Sequence, residues 1–213
     1  MGDATMALRT AGSVLVVFLW SVAVVLGQYI WSVTYTTQSI CALKGSAVEL
    51  SCSYTYPSGY TITTTFWFTK IYAEENYVSL KDDPDYKGRV TYREDEENGH
   101  TLTITDLRES DSATYKFRFT DQTGTWRYFG RPGVSLSVTG LQVKVTGGHQ
   151  DKTLTCSTTC TLTDNPTYIW YKNGHKVKED TSSLDSDSFS DADSYSCAVK
   201  GREDLHSPAV CEC

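Results

Sequence analysis

Hydrophobic and polar residues alternate in short runs along most of the chain. Val48-Glu49-Leu50-Ser51-Cys52 places every second residue on an apolar face, and Thr101-Leu102-Thr103-Ile104-Thr105-Asp106-Leu107 repeats the pattern. Val134, Leu136 and Val138 continue it, as do Leu141-Gln142-Val143-Lys144-Val145 and Leu154-Thr155-Cys156. Successive side chains of a strand point to opposite faces, so a period of two with one apolar face predicts half-buried β-strands. Long amphipathic helical patterns are absent, and Tyr, Thr, Ser and Val are plentiful, which reads as all-β. Asn173-Gly174 closes one run and favours a tight hairpin turn.

The most specific stretch is Asp111-Ser112-Ala113-Thr114-Tyr115-Lys116-Phe117-Arg118-Phe119. The pattern Asp-x-Ala-x-Tyr-x-Cys marks the turn into strand F of an immunoglobulin-type sandwich, where the Tyr hydroxyl caps backbone a few residues upstream. Asp111, Ala113 and Tyr115 fit, but Phe117 stands in the place of the Cys. With Tyr115, Phe117 and Phe119 turned to the core, Lys116 and Arg118 face out of the sheet. Cys52 and Trp67 stand at the spacing of strands B and C. Residues 86–92 suit strand D, 101–107 strand E, and 129–138 a bulged strand G. Room for extra edge strands between C and E predicts a variable-type domain over residues 28–138. Arg89 is expected to pair with Asp111 across the bottom of this sandwich. An inward Trp67 turns Phe66 and Phe68 outward, onto the face of Arg118. Exposed aromatics on one face mark a contact surface, unless an edge strand and long neighbouring side chains cover them.

After the short joint Thr139-Gly140 the same signatures return. Cys156, Trp170 and Asp191-Ala192-Asp193-Ser194-Tyr195-Ser196-Cys197 fit strands B, C and F, this time with the strand F Cys. The short gap between the two Cys predicts a smaller, constant-like domain of C2 type over residues 141–213. The fold expected is therefore two tandem immunoglobulin-like sandwiches.

Composition narrows the function. The chain has 213 residues, a formal net charge of −7 and seven Cys. An acidic surface argues against nucleic-acid binding. The four His are scattered over turns and tails, and no nucleophile–base, zinc or phosphate-loop spacing occurs. No catalytic, cofactor or metal residues are therefore assigned. The acidic stretch from Glu179 to Asp193 lacks the ligand spacing of a calcium loop and reads as a solvated face. Arg9 precedes an apolar run from Val14 to Leu26 broken only by Ser21, with small Gly27 after it. Residues 1–27 thus read as a secretory signal peptide, the run being shorter than the ~20 apolar residues of a membrane span. An extracellular chain is expected, secreted or the ectodomain of a single-pass plasma-membrane receptor, and there paired Cys are the rule. Cys156–Cys197 is the expected buried bridge. Cys41 and Cys160 can meet across the short joint, leaving Cys52 a buried thiol, but Cys41–Cys52 competes with that pairing. Cys211 and Cys213 stay unassigned.

Across both domains these residues resemble the sialic-acid-binding immunoglobulin-like lectins, most specifically at Tyr115-Lys116-Phe117-Arg118-Phe119. The resemblance implies that Arg118 grips the carboxylate of sialic acid. It also implies that Trp126 packs on the glycerol tail and Trp31 on the N-acetyl methyl. Sialylated glycoproteins or glycolipids are the partners it implies, and an interdomain bridge such as Cys41–Cys160 is a further feature of the family. Linkage preference there lies in the loop after strand C, here Ile71 to Val78. The chain departs from the family pattern at the start of strand E, where Gly99 or His100 replaces the Cys that joins strand B. A rigid guanidinium suits a carboxylate, and flat aromatic surfaces suit the other groups of the sugar. The alternative is a receptor fragment that binds a protein through Phe66 and Phe68, with no sugar site.

Overall fold

The structure, a computed structural model, describes residues 31–70, 77–95, 98–148, 151–160, 166–185, 190 and 192–211, with the backbone alone for residues 126–129. The expected signal peptide, residues 1–27, lies outside the described residues. The first half of the chain forms β1 (Ser32–Tyr35), β2 (Ser39–Leu43), β3 (Val48–Thr55), β4 (Ile62–Phe68), β5 (Val90–Glu94), β6 (Gly99–Ile104), β7 (Ala113–Asp121), β8 (Trp126–Phe129) and β9 (Val134–Thr139). The second forms β10 (Gln142–Thr146), β11 (Thr153–Ser157), β12 (Tyr168–Lys172), β13 (His175–Glu179), β14 (Ser183–Asp185), β15 (Ser194–Val199), β16 (Arg202–His206) and β17 (Val210–Cys211).

Two sheets make the first sandwich. One runs β1-β3-β6-β5, and the other runs β2-β9-β7-β4 with β8 also paired to β7. The alternation seen in the sequence becomes alternating burial: Val48, Leu50, Cys52 and Tyr54 of β3 face in, and the residues between them are exposed or half-buried. Trp67, Tyr115, Phe117 and Phe119 are fully buried between the sheets. Phe117, in the place of the missing Cys, packs its ring 5.6 Å from both Trp67 and Tyr54. Aromatic packing there stands in for a bridge between the sheets. A buried side chain of this size contributes about 1.5–3 kcal/mol through area alone.

The bottom of this sandwich is a buried polar network. Arg89 donates to both oxygens of Asp111 at 2.8 and 2.9 Å, and to the carbonyls of Asp106 and Asp85. The Tyr115 hydroxyl donates to the Asp111 carbonyl at 2.8 Å, the tyrosine corner legible in the sequence. Its oxygen also lies 2.9 Å from the Tyr86 hydroxyl. Both charges are buried, and removing one of a buried pair typically costs about 3–5 kcal/mol.

Several strand limits differ from the sequence expectation. Strand D begins at Val90 because Pro84–Tyr86 forms a 3-10 turn capped by the Asp83 carboxylate. Strand E spans Gly99–Ile104 and stops short of Asp106, which takes a φ of 49°. Strand G is split into β8 and β9. Gly133, with φ +94°, makes the break possible, since a Cβ there would meet the Tyr115 carbonyl at 2.6 Å. Among the described residues between β4 and β5, Tyr77 forms an isolated bridge and no continuous edge strand is present.

In the second sandwich β10-β11-β14 lies against β13-β12-β15-β16, with β17 also on β15. Its core holds Leu154, Trp170, Leu184 and Tyr195 around the Cys156–Cys197 bridge. Asn173 and Gly174 both take positive φ, 48° and 80°, and turn β12 back into β13. The two sandwiches meet tightly. Cys41 of β2 is bonded to Cys160, and Leu43 of β2 belongs to the second core. Leu205 packs so closely on Gly45 that a Cβ there would lie 2.7 Å from it. Among the described residues, no helix is long and apolar enough to cross a membrane.

Candidate functional site

β7 is central in its sheet, paired with β4 on one side and with β8 and β9 on the other. Registry fixes what stands beside each residue. Arg118 lies opposite Phe66 of β4 and Phe129 of β8, Lys116 opposite Phe68, and Thr120 opposite Thr64 and Trp126. Residues directly opposite share a face, so Lys116, Arg118 and Thr120 form one outward row bounded by aromatic positions. Strand geometry places Arg118 there because Phe117 and Phe119, its neighbours, are committed to the core.

The expectation of an exposed guanidinium needs correcting. Arg118 is only 4% exposed. The Tyr77 ring lies across it, with 3.8 Å from the guanidinium carbon to the ring centroid. The same ring meets Phe68 edge-on at 5.0 Å, and Phe68 is fully buried. A partner-binding face built on Phe68 is therefore not available; Phe66, half-buried and 6.2 Å from Phe68, keeps part of its surface. The reason is physical: a phenyl ring and an arginine stem on an outer sheet face leave apolar area uncovered, and chain beyond β4 returns to cover it. Tyr77 carried no motif and sequence reasoning missed it. The signal available was a tyrosine within the stretch that follows strand C.

The other candidate residues fall in different places. Trp31 is half-buried, stacked at 5.8 Å on Phe119 and edge-on at 4.9 Å to Tyr60. Those contacts tie it to the inward-facing row of β7 rather than to the outward row of Arg118. The backbone of Trp126 lies opposite Thr120, next along the row from Arg118; its side chain lies outside the described residues. Of the linkage loop, residues 71–76 also lie outside them. Asp121, at the end of β7, accepts from the backbone N–H of Thr123 at 2.9 Å and so closes the turn into β8.

The substituted disulfide position is resolved to one residue. His100 stands directly opposite Cys52 in the β3–β6 ladder, and opposite Glu94 in the β6–β5 ladder. Cys52 is a buried thiol, and burial pushes its pKa well above the ordinary range, so it is not a nucleophile. His100 is buried too, and burial lowers its pKa against the opposing pull of Glu94 and Asp95. Its Nε2 lies 3.1 Å from the Glu94 carboxylate, while its Nδ1 is buried without a hydrogen-bond partner. Nε2 is therefore the nitrogen placed to donate to Glu94, and burial favours the neutral ring.

These features define an all-β fold of tandem immunoglobulin-like sandwiches joined by a disulfide. Residues 42–140, just under half of the chain, match the family model described as B-cell receptor CD22-like, first Ig-like. The first sandwich is thus similar to the first immunoglobulin-like domain of CD22-like receptors. No curated protein matches the chain.

Proposed function

We propose that the chain is an extracellular binding protein whose first sandwich holds sialylated glycoproteins or glycolipids through Arg118. The observation that carries this reading is the position of Arg118 in the outward row of a central strand, within a CD22-like domain. Backbone pairing on both sides holds its Cα in place, so the charged fork stands on a rigid platform beneath the Tyr77 ring. The carboxylate of the sugar is the natural partner for that fork. Trp126, next along the row, is where an aromatic for the glycerol tail belongs under this reading. Trp31 contributes by packing on Phe119 beneath the row. The protein binds rather than catalyses, and residues 1–27 direct it to the cell exterior.

Such a site is shallow. A Kd near ~1 mM corresponds to about −4 kcal/mol, so adhesion depends on many copies acting together. Clustered protein is expected to bind sialylated cells. Sialidase treatment of the cells, or Arg118→Ala in the protein, should reduce this at least about tenfold, the weight of one charge-assisted pair. Binding that survives sialidase points instead to a protein partner and contradicts the proposal.

A further inference from the structure

Tyr77 covers one flat face of the Arg118 guanidinium at 3.8 Å and rests edge-on against buried Phe68. An arginine takes a carboxylate through one of two forks, Nε with one Nη or the two Nη together. Both Nε and Nη1 of Arg118 are buried. Each fork therefore contains a nitrogen that a carboxylate cannot reach in this closed arrangement. Building on the reading of Arg118 as a carboxylate-binding group, we propose that Tyr77 is an intramolecular competitor for this guanidinium. It sets both the affinity of the site and its selectivity for charged sugars.

The ring and the carboxylate want the same cation. When an acidic sugar docks, its carboxylate replaces the Tyr77 ring as the partner of Arg118, and the ring moves aside. A neutral sugar offers no charge to draw the guanidinium away, so the cover rejects it. A cation–π contact of this kind biases the closed arrangement by a factor of roughly 2 to 30, and apparent affinity falls by the same factor.

The experiment pairs guanidinium labelling with titration, using the full processed chain. Phenylglyoxal modifies accessible arginines, and peptide mass spectrometry reads the extent at Arg118. Arg118 is protected in the wild type and in Tyr77→Phe, which keeps the ring, and becomes labelled in Tyr77→Ala. Sialyllactose then binds Tyr77→Ala roughly 2- to 30-fold more tightly than the wild type, with Tyr77→Phe unchanged. A thermal melt of each variant confirms that the sandwich is intact. Equal labelling of Arg118 in wild type and Tyr77→Ala overturns the cover, whatever the sugar does. Increased labelling with no sialyllactose binding by either protein overturns the sugar reading of Arg118, and the competition with it.

Discussion

His100 shows how much a single buried residue can decide. Its ring packs 4.8 Å from Phe117, between the Cys52 thiol and the Glu94 carboxylate on neighbouring strands. Burial holds its pKa below the ordinary histidine value of 6.5. As pH falls below 6.5, the unfolded chain takes up a proton that the folded chain resists, so stability present above that value is progressively lost. Melting temperature is therefore expected to drop between about pH 7 and about pH 5, and His100→Phe should flatten that part of the profile. An identical pH profile in the two proteins would contradict this account of the ring. At the same scale, Arg118 was legible as an outward side chain because strand parity fixes it. Its cover was not, because Tyr77 reaches it through tertiary packing that no local pattern encodes.

At the scale of elements, the β3–β6 ladder retains the geometry of a cross-strand bridge without the bridge. Directly opposite Cα atoms in an antiparallel pair lie about 4.5–5.5 Å apart, within disulfide range. His100→Cys should therefore oxidise with Cys52 when the protein is folded under oxidising conditions. The expected readouts are loss of the Cys52 thiol from maleimide labelling after denaturation and a gain of about 2 kcal/mol in stability. Two persistent thiols at these positions would show that the strands are not in this register. The strands themselves were largely readable: alternation placed β3, β6, β7 and β9, and the Asn173-Gly174 turn placed the β12–β13 hairpin. Their ends were less so. Pro84–Tyr86 delays strand D and Gly133 divides strand G, because local turn chemistry overrides the run of apolar residues.

On the scale of the whole molecule, the two sandwiches are joined by more than a linker. The Cys41–Cys160 bond closes a span of 119 residues, and Leu43 is shared with the second core. Sequence spacing left Cys41 two possible partners; the choice rests on how the domains meet, which is a tertiary fact. Replacing both Cys41 and Cys160 with Ser should weaken this joint by about 2–4 kcal/mol. In calorimetry, one unfolding transition is expected to separate into two; an unchanged single transition would mean that the bond adds nothing to the joint. Under the proposed function a fixed orientation lets many copies present the outward face of β7 in one direction, and that face would have to accept the acidic sugar. The most direct measurement is an NMR titration of the isotope-labelled protein with sialyllactose. Shifts are expected at the Arg118 guanidinium and along β7 and β8, saturating near millimolar sugar and absent in Arg118→Lys. Shifts of equal size in Arg118→Lys, or none in the wild type, would contradict the central claim that Arg118 binds the carboxylate.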